Sequence, residues 1–298
     1  MRAGGIIGAA LGLSLLVACS DNEVILQGQR YDIRDGFAGA PKVEVNQALP
    51  IRLAPASLNT EWTHRGGGPA HRISHPSVGE ALALQFAVDI GEGNDKGARI
   101  TADPVVAGGV IYTVDAYARV SAVSTTGAVL WTRDLAPRTD NASSASGGNL
   151  AISGGRLFVG TGYGRLTALD ASTGSKLWSQ DLDAPGTAAP TVSGKLVYIV
   201  ARDSRAWALE VETGRIAWTA DGTAPTSTFG GGSGPAIGNE LAIFPFPSGE
   251  VVAAFPRGGL TRWSTVITGQ RLGHVAATVS DIAADPVIDG NRVYVGNV

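Results

Sequence analysis

Four glycines are each followed, four residues later, by a tryptophan: Gly127/Trp131, Gly174/Trp178, Gly214/Trp218 and Gly259/Trp263. The intervals between successive tryptophans are 47, 40 and 45 residues. Recurrence at roughly 40–50 residues marks a repeat architecture. In a β-rich chain it points to a propeller, whose blade is one four-stranded antiparallel sheet. Few other features constrain a chain so tightly, because every blade must reuse the same turns and the same packing positions.

The units between the rulers agree with that reading. Residues 103–135, 147–182, 189–222 and 234–266 each hold four short apolar runs separated by turn residues. The first two runs of a unit are joined by Gly-Gly, Ser-Gly or Gly-Asn, which supply the positive φ of a tight hairpin. Phe158, Tyr198 and Ile243 each precede their tryptophan by 20 residues, and Tyr112 precedes Trp131 by 19. A one-residue deletion between Ala122 and Gly127 accounts for the odd spacing, since Ala168 and Ala208 lie one residue further from their glycines. Upstream, residues 82–88 read as a strand, with Phe86 in the place that a tryptophan holds later. A fifth unit begins at Asp285, and Tyr294 matches Tyr112 and Tyr198. Its tryptophan falls due about 20 residues further on, past Val298. The expectation is an all-β, open arc of about five blades, a piece of a longer propeller with residues 285–298 as an unfinished edge.

Composition narrows the function. Charged residues make up 16% of the chain and the net charge is −3, with no Lys/Arg-rich run, so nucleic acid is not expected as a partner. Cys19 is the only cysteine, which removes internal disulfides and paired-cysteine metal sites. It closes a leader in which Arg2 is the positive element and residues 6–17 are a short apolar run, the pattern of a secretory signal. Leu16-Val17-Ala18-Cys19 resembles the bacterial lipobox, which implies cleavage of residues 1–18 and lipid attachment at Cys19. Ser20 does not give the inner-membrane retention signal that an acidic residue there would give. Residues 19–61 then read as a lipidated tether and 62–298 as the propeller.

The run Ala168-Leu169-Asp170-Ala171-Ser172-Thr173-Gly174-Ser175-Lys176-Leu177-Trp178 resembles the PQQ-type propeller repeat, which quinoprotein dehydrogenases share with the BamB family of outer-membrane assembly lipoproteins. Trp62-Thr63-His64-Arg65-Gly66-Gly67-Gly68 and Ser280-Asp281-Ile282-Ala283-Ala284-Asp285-Pro286-Val287 look like two further BamB-family segments, of the α-proteobacterial type. This resemblance covers nearly the whole chain after Cys19. It implies an eight-bladed, periplasmic, non-enzymatic scaffold tethered to the outer membrane. Such a scaffold docks on the POTRA domains of BamA within the BAM complex and assists insertion of unfolded β-barrel proteins. It also implies that two inter-blade loops, residues 226–234 and 278–285, face BamA, with Phe229, Ser280 and Asp281 as contact residues. Phe229 stands where the family tends to have Leu, and Gly230 replaces the basic residue expected beside it.

Other chemistry is weaker. A PQQ dehydrogenase needs Ca²⁺ ligands, an axial stacking tryptophan and a disulfide of adjacent cysteines, and a single cysteine cannot supply the last. A general periplasmic adaptor for another envelope complex is a further alternative. His64, His71 and His75 are spaced as a possible metal set, but with three glycines between them they read as solvated loop histidines. Gly160-Thr161-Gly162-Tyr163-Gly164 leads into a strand rather than a helix, so it reads as a hairpin and not a phosphate loop. Asp203, Glu210 and Glu212 sit at turns or strand ends with no sign of a tuned carboxylate pair. Trp207 is out of register with the ruler and reads as a surface or partner-facing side chain. No cofactor and no metal are expected.

Overall fold

The computed structural model describes residues 50–138, 145, 147–186, 188–225, 232–267 and 281–297. Cys19, Phe229 and Ser280 lie outside the described residues, as do the leader and most of the tether. All that follows concerns the compact unit Leu53–Val298.

Every described element is a strand, and the strands fall into sheets in strict sequence order. The first sheet is β1 (Val105–Ala107), β2 (Val110–Val114), β3 (Arg119–Ser124) and β4 (Val129–Asp134). The second is β5 (Gly148–Ser153), β6 (Arg156–Thr161), β7 (Arg165–Asp170) and β8 (Lys176–Asp181). The third is β9 (Thr191–Ser193), β10 (Leu196–Val200), β11 (Arg205–Glu210) and β12 (Ile216–Asp221). The fourth is β13 (Ala236–Ile237), β14 (Ala242–Pro245), β15 (Glu250–Ala254) and β16 (Thr261–Val266), and β17 (Val287–Asp289) with β18 (Arg292–Tyr294) begin a fifth. All pairings within sheets are antiparallel. The meander repeats four times in full, as the spacing predicts, and the fold is an incomplete all-β propeller. Consecutive blades touch through their first strands, β1 to β5, β5 to β9, β9 to β13 and β13 to β17.

The Gly–Trp ruler has a mechanical cause. In each blade the tryptophan of the fourth strand lies directly across from an alanine of the third: Trp131 from Ala122, Trp178 from Ala168, Trp218 from Ala208, Trp263 from Ala253. The same alanine faces Tyr112, Phe158, Tyr198 or Ile243 on the second strand. A methyl group between two large side chains lets the rings meet, with centroids 6.0, 5.9 and 6.0 Å apart in the first three blades. The tryptophan then packs on the glycine of the next blade rather than on its own. A Cβ placed on Gly174, Gly214 or Gly259 would fall 2.6 Å from the ring of Trp131, Trp178 or Trp218. The indole N–H donates to a carbonyl three residues before that glycine: Ala171 (3.0 Å), Val211 (2.9 Å) and Pro256 (2.9 Å). Tyr112 and Tyr198 hydroxyls donate to the Ala171 and Pro256 carbonyls as well.

Phe86 packs on Gly127 in the same way, 2.9 Å from a Cβ placed there, so it occupies the tryptophan position as its spacing predicts. The strand expected over residues 82–88 does not form, since no ladder partner flanks it among the described residues. Trp207 is corrected too. It is 4% exposed, because alternation along β11 turns it to the sheet face opposite Ala208 and into the core, with the Arg205 guanidinium 5.6 Å from its ring.

Candidate functional site

The first strands converge on a short segment, which overlaps the Trp62–Gly68 run that resembles the BamB family. Residues 62–71 cross the inner edge of every blade in turn. The amide of Val106 donates to the Trp62 carbonyl (2.8 Å), that of Ile152 to Thr63 (2.9 Å), that of Ile237 to Pro69 (2.7 Å) and that of Ile288 to Ala70 (3.0 Å). In the third blade the Val192 amide donates to Nε2 of His64 instead (3.0 Å). These five donors are one repeat position, the residue two places before the glycine of the first hairpin in four blades and one place before it in the fourth. Each is Val or Ile. The segment is thus a hub. It satisfies an innermost N–H that would otherwise face the axis without a partner.

The chain makes this turn with Gly66 (φ +76°) and Gly67 (φ +91°), the latter lying against the Trp62 ring. His64 and His71 are 3% and 4% exposed, so the expectation of solvated histidines holds for the exposed His75 alone. Burial, aided by the nearby His71, holds the His64 pKa down at about 4. The neutral ring accepts from Val192 at Nε2, and its Nδ1–H donates to Thr63 Oγ1 (2.8 Å). His71 donates from Nδ1 to the Pro286 carbonyl (3.0 Å), and burial lowers its pKa as well. Arg65 links the hub to two blades, 3.3 Å from Asp103 and 3.5 Å from Asp285.

The two loops singled out in the sequence are joined at their bases. Ser233 Oγ donates to the Ile282 carbonyl, and the Gly234 amide donates to Asp285 Oδ1 (2.7 Å). The described bases, residues 232–234 and 281–285, therefore meet at the seam between the fourth and fifth units, beside Arg65. Asp281 is 7% exposed and Ile282 2%, so Asp281 lies at the root of the second loop. The hub's contacts with all five units are what sequence reasoning missed. The available signal was the recurrence of a β-branched residue at the same first-strand position in all five units.

The Gly160–Gly164 segment is the hairpin between β6 and β7, with Gly164 at φ +73°. Glu212 is held by Arg156 of the preceding blade, and Glu210 accepts from Thr213 (2.5 Å).

Comparison with known proteins places these features in context. The family model described as outer membrane protein assembly factor BamB matches residues 116–298. The outer membrane protein assembly factor BamB of Alteromonas naphthalenivorans is 28% identical over 262 residues, covering 83% of this chain and 62% of that relative. The quinohemoprotein alcohol dehydrogenase ADH IIB of Pseudomonas putida is 34% identical over 156 residues, covering 46% of this chain and 22% of its own. Among solved structures, BamB from Moraxella catarrhalis shares the fold with a TM-score of 0.56 at 18% identity, covering 66% of this chain and 58% of that one. The chain therefore spans about three fifths of the length of these two BamB proteins.

The dehydrogenase likeness raises the question of a PQQ site. The described residues do not fit one. The inner edges of all five units are bonded to the hub, no group of three or more His, Cys, Asp or Glu side chains able to hold a metal occurs among the described residues, and the chain has one cysteine.

Proposed function

The chain belongs to the family of outer membrane protein assembly factor BamB, and from that premise we propose that it is a non-enzymatic scaffold of the outer-membrane β-barrel assembly complex. In this reading Cys19 carries the lipid that tethers it to the periplasmic face of the outer membrane. The loops at residues 226–234 and 278–285 receive the POTRA domains of BamA. Phe229 and Ser280 make the contact, and Asp281 fixes the second loop from its root. The bound complex assists insertion of unfolded β-barrel proteins.

The observation that carries this reading is the hub. Five innermost strands direct the same amide at one segment of the chain, which suits a rigid platform presenting loops. The joined bases of the two loops support a single contact surface. Co-purification of BamA with the full-length lipoprotein tests it. Recovery of BamA is expected, and recovery of a different envelope complex without BamA would favour the general adaptor. Calorimetry with PQQ and Ca²⁺ tests the enzyme reading, and stoichiometric uptake would overturn the scaffold.

A further inference from the structure

The third strand of each blade opens on a charged residue, and the fourth blade reverses its sign. Arg119, Arg165 and Arg205 stand across the ladder from Asp134, Asp181 and Asp221 of the fourth strand. Two of these pairs close within their blades, Arg165–Asp181 at 3.8 Å and Arg205–Asp221 at 3.0 Å. In the fourth blade the same two positions are Glu250 and Val266. Glu250 bonds to the chain leaving the preceding blade instead. Its Oε2 accepts from the Thr223 amide (2.8 Å) and from the Thr223 hydroxyl (2.9 Å). At the seam before, the matching contact is Arg205 to Asp183 at 3.9 Å, and Arg205 stays bonded to Asp221.

A second substitution marks the same point. In all four blades the residue after the fourth strand donates its amide to the hairpin between second and third strands: Leu135 to Ala118, Leu182 to Gly164, Gly222 to Ser204 and Ile267 to Gly249. It is a large aliphatic in three blades and glycine in the third. The buried Phe246 of the next blade takes that room, and a Cβ on Gly222 would fall 2.6 Å from its ring. The counterparts of Phe246, four residues before the opening charge, are the smaller Asp115, Thr161 and Ala201. The chain leaving the third blade is thus seated on Phe246 and bonded to Glu250, the two ends of one hairpin. Its return is fixed by the bonds from Ser233 to Ile282 and from Gly234 to Asp285.

We propose that Glu250, beside Phe246, is a positioning residue for the connection that leaves the third blade at Gly222 and returns at Gly234. It acts through Thr223. The role rests on the reading of residues 226–234 as a BamA contact. Fixing the exit before the partner arrives removes part of the ordering cost that binding otherwise meets. A carboxylate oxygen can accept from both Thr223 donors, whereas the arginine of the other blades has no acceptor to offer.

The double variant Glu250→Arg with Val266→Asp tests this on the full chain. It restores the in-blade pair of the other blades and removes the acceptor for Thr223, so the thermal transition is expected to stay in place. Hydrogen exchange at the Thr223 amide should accelerate about tenfold, and affinity for the isolated POTRA domains of BamA should fall about fivefold. The loss should appear in the association rate, since only the seated fraction of the connection is ready to bind. Glu250→Gln keeps an acceptor oxygen and should hold both readouts within about twofold of the unchanged chain. Should the double variant lose its thermal transition, Thr223→Val removes one donor from the other side of the contact and should weaken binding in the same direction. Unchanged Thr223 exchange, full affinity in the double variant or in Thr223→Val, or equal losses in the glutamine and double variants would overturn the role of Glu250. Failure of the unchanged chain to bind the POTRA domains would overturn the proposed function, and the exchange measurement would still decide whether Glu250 anchors Thr223.

Discussion

At the scale of single residues the ruler glycines are fixed by the neighbouring blade. Gly214 has φ +71° and faces the Trp178 ring, while Gly194 has φ +60° and nothing near its missing Cβ. An alanine at either pays the left-handed backbone cost of about 1–2 kcal/mol. At Gly214 it must also displace an indole, which adds about 2 kcal/mol by overpacking. Urea denaturation should therefore place Gly214→Ala well below Gly194→Ala in stability, and equal losses would refute the inter-blade packing. His64 gives a pH signature. Its folded pKa of about 4 lies below the ordinary histidine value of 6.5, so the unfolded chain binds the extra proton in that window. The contribution is complete above pH ~6.5 and is lost as pH falls through the window toward the folded pKa, by about 3 kcal/mol in all. His71 adds in the same direction. Stability measured from pH 7 to 4 should fall, and His64→Gln should flatten the fall. A slope unchanged by His64→Gln would contradict the buried, neutral ring.

At the scale of elements the strands were readable and the hub was not. Repeats at one spacing announce four-stranded blades because each strand carries its own alternation and each hairpin its own glycine. That Gly174 serves Trp131 rather than Trp178 could not be read, since the four-residue offset within a blade is only the by-product of contacts between blades. The hub escaped because in four of the five units it acts through main-chain carbonyls, which any residue owns. The burial of His64 and His71 follows from those distant contacts and leaves no local pattern. Residues 82–88 show the converse. Phe86 obeys the ruler through one contact, but a strand needs a ladder partner. The hub makes a collective prediction. Gly67→Val places a branched Cβ at φ +91° against Trp62 and should loosen the whole segment. Hydrogen exchange at the amides of Val106, Ile152, Val192, Ile237 and Ile288 should then accelerate together, about 10-fold or more if opening becomes easier by ~1.4 kcal/mol. Acceleration confined to the first blade would contradict a shared hub.

At the scale of the whole molecule the blades act as a support that carries two unlike faces. One face holds the described bases of the two loops, tied through Ser233, Ile282, Gly234 and Asp285, and the other holds a cleft lined by Phe255, Pro256 and Arg257. The sequence named the first face through a family resemblance and its loops through position. The second was hidden because three ordinary residues matter only when compared with their counterparts in other blades. Trp263, 37% exposed, marks where the inter-blade packing of the other three tryptophans has no counterpart among the described residues. The central claim is that this propeller works by holding a partner. The most direct measurement is a binding titration of the full chain against the isolated POTRA domains of BamA, with Phe229→Glu alongside. The account predicts saturable one-to-one binding, weakened about tenfold or more by the substitution. No binding to the POTRA domains, together with stoichiometric uptake of PQQ and Ca²⁺, would contradict it.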